Sequence, residues 1–472
     1  MLKLLLIFLS PAVMLATEHV NDNGIHHING TELSILWIIP FLGILASIAV
    51  LPLIAAHFWH NNFGKITFFW AFCFIVPFYM ISGFSSTVYE LLHVMLLEYL
   101  PFIILLLALF TISGGIRLTG RLVGTPQINA LMLLIGTVLA SWMGTTGAAM
   151  LMIRPLIRAN ANRENKIHII VFFIFLVANI GGSLTPLGDP PLFLGFLKGV
   201  NFFWTTKAMF LPMVFMVVVL LSLFLIIDFC YYRKEKTGSE SIDDYQEEKI
   251  GLEGSINFIF LAGVIAAVLL SGFWKSEIVI TLYHVPVQLP NLVRDILLLL
   301  FTLLSWLLTS KVIRKNNQFT WYAIQEVAKL FAGIFVTIIP TIAILKAGTK
   351  GALARIVESV SIAGEPINEM YFWATGILSS FLDNAPTYLV FFNTAGGDAD
   401  YLMGELHTTL LAISAGAVFM GANSYIGNAP NFMVKSIAEE RGLDMPSFFG
   451  YMLKYSIPIL LPLYFLVTWI FF

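Results

Sequence analysis

Charged residues are scarce in this chain. Only 11% of its 472 residues are Asp, Glu, Lys or Arg, whereas 58% are hydrophobic. A soluble protein of this size needs more charge to cover its surface, so the composition indicates a protein whose main solvent is lipid. The formal net charge of −2 argues against nucleic acid and against any partner that requires a strongly basic surface.

Cysteine and nucleotide-binding motifs are also lacking. The two cysteines, Cys73 and Cys230, lie alone inside apolar stretches, which excludes a disulfide framework and a zinc pattern. No G-x-x-x-x-G-K-S/T loop occurs, so the sequence gives no sign of direct ATP hydrolysis. No nucleophile–base pair or cofactor motif is present either. We therefore expect a protein that is not an enzyme, binds no cofactor and draws any energy it needs from an ion gradient.

The first 16 residues fit a cleavable signal peptide. Lys3 precedes an apolar run of about a dozen residues, and Ala16 stands before a polar stretch. The alternative is a short uncleaved anchor. In either case the chain from Thr17 onward is predicted to be extracytoplasmic.

Long apolar segments follow. A spanning helix needs about 20 apolar residues, and the candidates are 35–57, 66–84, 99–115, 207–231, 256–273, 292–310, 326–346 and 451–472. Two further regions, 128–200 and 367–439, are apolar but interrupted by Gly, Pro, Asn, Asp and Thr. Backbone that is not helical cannot face lipid, so these two regions must be shielded by protein or line a cavity.

The two interrupted regions resemble each other. An ungapped shift of 239 residues superposes identical or similar residues, with chance resemblance between apolar segments as the alternative. The matches are Ser141/Ser380, His168/His407, Gly182/Gly421, Thr185/Ser424, Gly188/Gly427, Asp189/Asn428, Pro191/Pro430 and Phe193/Phe432. Internal repeats with interrupted helices in corresponding positions are typical of secondary transporters. We predict a first transmembrane repeat over 17–231, a cytoplasmic linker over 232–255 and a second repeat over 256–472.

Each repeat is predicted to contain a re-entrant hairpin and a broken transmembrane helix. The hairpins are 128–160 and 367–397, because their arms are too short to span, and the broken helices are 166–198 and 407–437. Five membrane crossings separate the two hairpins. Because five is an odd number, the hairpins enter the membrane from opposite faces, and the repeats are predicted to be inverted. Most clusters of Lys and Arg then fall in the cytoplasm, as the positive-inside rule requires, and the 346–367 loop is the main exception. The fold class is therefore an all-α membrane protein of two inverted repeats.

Two acidic residues stand at the interruptions. Asp189 follows Gly188 and precedes Pro190, and Asp383 lies at the predicted tip of the second hairpin, before Asn384. Either could simply cap a helix. An ionisable group inside a membrane segment is costly, however, and is functional by default. We therefore predict that Asp189 and Asp383 bind a cation, with Na⁺ the first hypothesis, and protons. Glu98, just before Pro101, is predicted to lie at the membrane interface.

Neutral oxygen donors surround the two acids in the sequence. Oxygen ligands suit hard cations, although any one of these residues could instead bond to a helix end. The candidate ligands are Thr145, Thr146, Ser183, Thr185, Asn384, Asn423, Ser424 and Asn428. The predicted helix breaks are made by Gly182, Gly188, Pro190, Pro386, Gly421, Gly427 and Pro430.

The motifs resemble those of a known family. The run from Gly181 to Asp189 (GGSLTPLGD) resembles the first broken helix of NhaD-type sodium/proton antiporters, and the run from Leu378 to Pro386 (LSSFLDNAP) resembles their second hairpin. Both motifs are those of the wider ion-transporter superfamily, which includes citrate carriers and arsenite pumps. The resemblance implies a homodimer in which the hairpins and broken helices move as one domain.

The leading hypothesis for function is a secondary active transporter in the inner membrane that exchanges Na⁺, or Li⁺ or K⁺, for protons. Cation and proton would compete for the same carboxylates. The alternative is a proton- or sodium-coupled importer of citrate-like carboxylates or oxyanions, in which the N-termini of half-helices hold the anionic groups.

Overall fold

The computed structural model of the chain describes residues 28–120, 122–235, 251–362 and 364–472. The predicted signal peptide over 1–16 lies outside these ranges. So does 236–250, which makes up most of the predicted linker.

Nearly all regular structure in the described ranges is helical. The α-helices span Ile39–Ile54, Ala56–Val94, Leu100–Ser113, Pro126–Met143, Thr145–Ala159, Ile167–Leu176, Pro190–Leu197, Phe202–Lys234, Ile256–Phe273, Leu289–Leu308, Lys311–Asn316, Tyr322–Thr337, Ile339–Lys346, Ala354–Ser359, Asn368–Phe381, Asn384–Thr394, Ala399–Met403, His407–Met420, Ala429–Glu440, Phe448–Tyr451 and Ile457–Phe471. Short 3-10 helices span Ile35–Ile38, Ile180–Leu184, Gly348–Lys350 and Gly421–Asn423, and π-helical turns span Met95–Tyr99 and Met452–Ser456. Three antiparallel ribbons pair Arg117–Thr119 with Gly251–Glu253, Val279–Leu282 with Val285–Gln288, and Ser361–Ile362 with Glu365–Pro366.

Many of the helices are long and apolar enough to cross a membrane. Among the described residues eight stretches meet this condition, and a ninth is added if the helices Tyr322–Thr337 and Ile339–Lys346, bent by 42°, form one span. Large apolar side chains face outwards, among them Phe68 (69% exposed) and Trp469 (83% exposed). Because water would penalise such a surface, the chain is an all-α, multi-pass membrane protein, and this part of the sequence prediction is confirmed.

The region predicted as two separate spans, 66–84 and 99–115, is helical almost without interruption from Ala56 to Ser113. Only Gly83 leaves the helical conformation, with φ 77° and ψ 176°. A straight helix of 58 residues would be about 87 Å long, roughly three times the thickness of the hydrocarbon core. Gly83 therefore divides the run into two spans. The residues that the sequence leaves between the two candidate spans are helical as well, and polar residues among them, such as Thr87, are buried in the protein.

The first interrupted region forms two helices that pack against each other, Pro126–Met143 and Thr145–Ala159. Gly144 alone separates them, with φ 80°, a conformation that other residues rarely adopt. The broken segment follows. It consists of Ile167–Leu176, a 3-10 turn and an irregular stretch, and then the short helix Pro190–Leu197.

The second interrupted region has the same order of elements. The helices Asn368–Phe381 and Asn384–Thr394 pack against each other around a break at Leu382 and Asp383. His407–Met420, a 3-10 turn and Ala429–Glu440 then form the second broken segment.

Several local hydrogen bonds recur in both halves at the spacing of 239 residues. Ser141 Oγ donates to Gly181 O and Ser380 Oγ to Met420 O, while Thr185 Oγ1 donates to Ser141 O and Ser424 Oγ to Ser380 O. The two halves therefore share local structure as well as helix order. Their opposite orientation in the membrane stays a prediction.

The helices pack as two groups. The frame helices are Ile39–Ile54, Ala56–Ser113, Ile256–Phe273, Leu289–Leu308, Tyr322–Thr337 and Ile339–Lys346, which contact one another. The core group contains both hairpins, both broken segments, Phe202–Lys234 and Phe448–Phe471. At the boundary, which we call the seam, Thr145–Ala159 packs against Leu100–Ser113 and Asn384–Thr394 packs against Ile339–Lys346.

The two repeats interlock inside the core group. The second arm of the first hairpin packs against Ala429–Glu440, from the second broken segment. The second arm of the second hairpin packs against Pro190–Leu197, from the first. Both breaks and both hairpin tips therefore meet in the middle of this group.

Candidate functional site

Asp189 lies at the point where the irregular stretch of the first broken segment becomes helix. Its backbone is extended (φ −142°, ψ 142°), and Pro190 occupies the first helical position, where the missing N–H costs no hydrogen bond. The geometry is that of an N-cap residue, but the Asp189 side chain makes no capping hydrogen bond. Helix capping therefore does not account for this carboxylate.

The Asp189 carboxylate is instead bound by side chains from three other elements. Thr145 Oγ1, at the tip of the first hairpin, donates to Oδ1 at 3.2 Å. Asn428 Nδ2, from the second broken segment, donates to Oδ1 at 3.0 Å. Asn384 Nδ2, at the tip of the second hairpin, donates to Oδ2 at 2.5 Å. Four of the ten predicted ligands thus meet at one point.

The pairing follows the internal repeat. Asn428 is the residue equivalent to Asp189 in the second repeat, and Asn384 is equivalent to Thr145. Asp189 therefore bonds to its own counterpart and to the residues at both hairpin tips. A contact between equivalent residues places the cluster where the two repeats face each other.

The cluster is sealed from solvent and lipid. Asp189 is 1% exposed, Asn384 0% and Asn428 2%. All three hydrogen-bond donors to the carboxylate are neutral, and within the described part of the chain no Lys or Arg side chain donates to it. A buried carboxylate without a positive partner is unfavourable unless it binds a cation or a proton.

An unused oxygen lies beside the carboxylate. Asn384 Oδ1 is buried and accepts no hydrogen bond from any described residue. The Asn384 amide nitrogen donates to Asp189, which leaves the oxygen as the unpaired atom of this amide. A carboxylate and a free amide oxygen in one buried cluster are the donor types that a hard cation prefers.

Asp383 differs from Asp189 in its bonding. It is half-buried, and its Oδ1 accepts a hydrogen bond from the backbone N–H of Ala385 at 3.0 Å, so it caps the second arm of its hairpin. The capping alternative is therefore the observed geometry for Asp383. Its carboxylate also interacts electrostatically with Asp189. Cation binding by Asp383 stays a prediction.

The remaining predicted ligands do not bond to Asp189. Ser183 donates to Ile180 O, Thr185 to Ser141 O, and Ser424 to Ser380 O at 2.5 Å. Asn423 donates to Ser380 Oγ at 2.8 Å. Thr146 is half-buried next to Thr145. All of these residues except Thr146 therefore stabilise the irregular backbone. This corresponds to the alternative stated above, in which such a residue bonds to a helix end.

The predicted helix breaks are explained by close packing and by helix starts. A Cβ on Gly188 would lie 2.1 Å from Gly182 O, and one on Gly427 would lie 2.6 Å from Gly421 O. Only glycine permits these approaches. The prolines occupy the first turns of their helices: Pro190 and Pro430 lie within the first two positions and Pro386 is the third residue of Asn384–Thr394.

Sequence reasoning missed a second polar contact between the repeats. Asn179 Nδ2 donates to Asn431 Oδ1 at 2.7 Å, and both residues are 0% exposed. Asn431 in turn donates to the carbonyl groups of Gly421 and Ser424, each at 2.8 Å. An asparagine two residues before Gly181 in an otherwise apolar run was the available signal for Asn179.

A buried ionic cluster at the open end of the first hairpin was also missed. Asp228 is 0% exposed and accepts from Arg163 at 2.7 Å and from Asn129 at 3.0 Å, and it pairs with His168 Nε2 at 2.9 Å. Arg163 also pairs with Glu235 at 2.7 Å. The cluster joins the hairpin and the broken segment to the helix Phe202–Lys234, so its role in the fold is structural.

A multi-pass helical protein with two repeated, interrupted helices around a buried polar cluster belongs to the class of membrane transport proteins. A family model described as "Putative citrate transport" matches residues 30–472. The chain therefore belongs to this family of transporters, which places it in the superfamily that includes the citrate carriers, and it is not an enzyme. None of the curated proteins compared with the chain gives a significant match. The finer resemblance to NhaD-type antiporters stays a prediction.

Proposed function

We propose that this protein is a secondary active transporter that exchanges a monovalent cation, with Na⁺ the first candidate, for protons across the inner membrane. The observation that carries the proposal is the buried Asp189 carboxylate. Among the described residues it is held only by neutral donors, and Asn384 Oδ1 beside it has no hydrogen-bond partner. A single carboxylate in this setting binds either a proton or a cation. Competition between the two gives exchange.

The packing of the helices around Asp189 suggests how this residue could be reached from both sides of the membrane. The irregular stretches and hairpin tips that hold Asp189 belong to the core group, which meets the frame helices along the seam. We propose that the two repeats are inverted, that the core group moves relative to the frame helices, and that the transporter is a homodimer, as the family resemblance implies. Movement of the core group would expose Asp189 to each side in turn.

The second candidate function is import of a citrate-like carboxylate, coupled to protons or Na⁺. It is favoured by the family to which the chain belongs. At the Asp189 cluster, however, the described residues present a negative charge and no basic side chain, which is a poor environment for a polyanion unless a cation accompanies it.

One assay separates the two candidates. Everted membrane vesicles that contain the protein are acidified, and NaCl, LiCl, KCl or sodium-free citrate is added. Proton release on adding a chloride salt, and none with citrate, supports cation/proton exchange. Uptake of labelled citrate in right-side-out vesicles without salt-induced proton release would instead support the carboxylate importer and contradict our proposal.

A further inference from the structure

Glu98 forms an ion pair that crosses the seam. It lies in the π-helical turn Met95–Tyr99 of a frame helix, and its Oε1 is 2.5 Å from Lys198 Nζ. The side chains of Glu98 and Lys198 are 8% and 21% exposed, so the pair is largely shielded. Glu98 is thus enclosed by protein, and its position at the membrane interface stays a prediction.

Two other ion pairs among the described residues join elements of one group. Arg163–Asp228 lies within the core group, and Arg117–Glu253 joins two strands next to frame helices. Glu98–Lys198, in contrast, connects a frame helix to the core group. Lys346, at the end of another frame helix, interacts electrostatically with both members of the pair. Glu98 and Glu90 are thus acidic neighbours of Lys346, one of the basic residues on the predicted outer side.

Lys198 is directly linked to the candidate site. It follows the helix Pro190–Leu197, whose other end begins immediately after Asp189. Eight helical residues form a rigid rod of about 12 Å. Along this rod Phe193 faces a second frame residue, Arg294, whose guanidinium carbon is 6.0 Å from the ring centre. An interaction that restrains Lys198 therefore also restrains the position of Asp189.

Glu98 depends on Lys198 for its stability in this position. Its second oxygen, Oε2, is buried and has no hydrogen-bond partner among the described residues. If the core group moves and Lys198 leaves, the buried Glu98 carboxylate loses its hydrogen-bonded counter-charge and keeps only the longer-range attraction of Lys346, which is unfavourable. The pair therefore opposes the movement that separates it.

From this geometry we propose that Glu98 is a positioning residue that latches the core group in the arrangement seen here, through its ion pair with Lys198. The inference rests on the proposed function in one respect, namely that the core group moves during transport. Opening of the latch is then part of each transport cycle, and its strength sets how the two arrangements are populated.

The test measures the arrangement directly. Met150, on the first hairpin, is 9% exposed and packs against Phe110 and Ile324 of the frame helices. A single cysteine at Met150, in full-length protein with Cys73 and Cys230 replaced by serine, reports displacement of the core group through its rate of reaction with N-ethylmaleimide. We expect Glu98→Gln to raise this rate at least threefold, and the double exchange Glu98→Lys with Lys198→Glu to bring it back towards the parent value.

Glu253→Gln is the matched control, because it removes an ion pair that does not cross the seam and should leave the rate unchanged. If Glu98→Gln does not reach the membrane, Lys198→Gln is measured in its place. Equal rates in the parent and the variant, or no recovery in the double exchange, would overturn the latch. The labelling needs no transported ion. Suppose that Glu98→Gln raises the labelling rate but the parent protein shows no salt-induced proton release in vesicles. This result would refute the proposed function and leave the latch in place.

Discussion

At the scale of single residues, Asp189 and Asp383 occupy similar places but do different things. Asp383 accepts the capping hydrogen bond of its helix from Ala385, whereas the Asp189 side chain leaves its own helix uncapped and collects donors from three other elements. Because Asn caps about as well as Asp, replacement by Asn distinguishes a capping role from an ionic one.

We therefore expect Asp383→Asn to retain exchange, reduced less than about tenfold, since tenfold corresponds to about 1.4 kcal/mol of lost electrostatic attraction for the cation. The prediction from the sequence that Asp383 itself binds the cation and protons would instead make this variant inactive. Initial rates of salt-induced proton movement in everted vesicles measure the effect, with Asp400→Asn, a change at an exposed residue, as control. Complete loss in folded, membrane-inserted protein would show that the Asp383 charge is itself required.

Thr145 offers a second test of the cluster. Thr145→Val keeps the shape of the side chain and removes the hydroxyl that donates to Asp189. A hydrogen bond to a charged group contributes about 1.5–3 kcal/mol, so the Na⁺ concentration for half-maximal exchange should rise roughly tenfold or more. Thr145→Ser keeps the hydroxyl and should stay near the parent value. Identical behaviour of the two variants would remove Thr145 from the site.

The sequence identified the right chemical types at this scale but not their pairings. Polar residues inside apolar segments stand out in the sequence, and this pattern predicts Asp189, Thr145, Asn384 and Asn428 as site residues. Which of them bond to one another depends on how the repeats face each other. For the same reason the contact between Asn179 and Asn431 could not be predicted, because 252 residues separate the two.

At the scale of elements, the breaks depend on backbone packing that a side chain would prevent. We expect Gly188→Ala to abolish exchange and lower thermal stability, because its Cβ would lie 2.1 Å from Gly182 O, far inside contact distance. Gly64→Ala is the matched control. Gly64 lies in the helix Ala56–Val94, where a Cβ would meet nothing closer than Lys329 Cδ at 3.5 Å, and alanine favours a helix. Thermal unfolding in detergent measures the stability of both variants, and cation/proton exchange in vesicles measures their activity. A Gly188→Ala protein as stable and active as the Gly64→Ala protein would contradict this explanation of the break.

The elements themselves were predicted unequally well. The apolar spans and the interruptions at Gly144 and Asp189 follow from glycine and proline placement, which acts locally. The length of the helical run from Ala56 to Ser113, with its break at Gly83, does not, because polar residues within it are not expected in a helix of the membrane region until their burial against neighbouring helices is known. The π-helical turn that carries Glu98 likewise has no clear sequence signal.

At the scale of the whole molecule, the inverted arrangement of the repeats remains to be tested. In the proposed topology Glu164, in the segment after the first hairpin, faces the cytoplasm, and Asp400, in the segment after the second hairpin, faces the opposite side. Both are exposed in the structure. Single cysteines at these positions, with Cys73 and Cys230 removed, should react with an impermeant maleimide from opposite faces, Glu164→Cys in everted and Asp400→Cys in right-side-out vesicles. Reaction of both from the same face would rule out inverted repeats.

In the proposed mechanism one buried carboxylate, Asp189, is shared between a cation and a proton. The most direct measurement adds NaCl to purified protein in weakly buffered detergent solution and follows the protons released, with choline chloride as the ionic-strength control. We predict that the parent protein releases protons on Na⁺ addition and that Asp189→Asn, which keeps the size and hydrogen bonding of the side chain but has no titrating proton, releases none. Equal proton release from the two proteins would show that the cation and the proton meet elsewhere, and would contradict the mechanism.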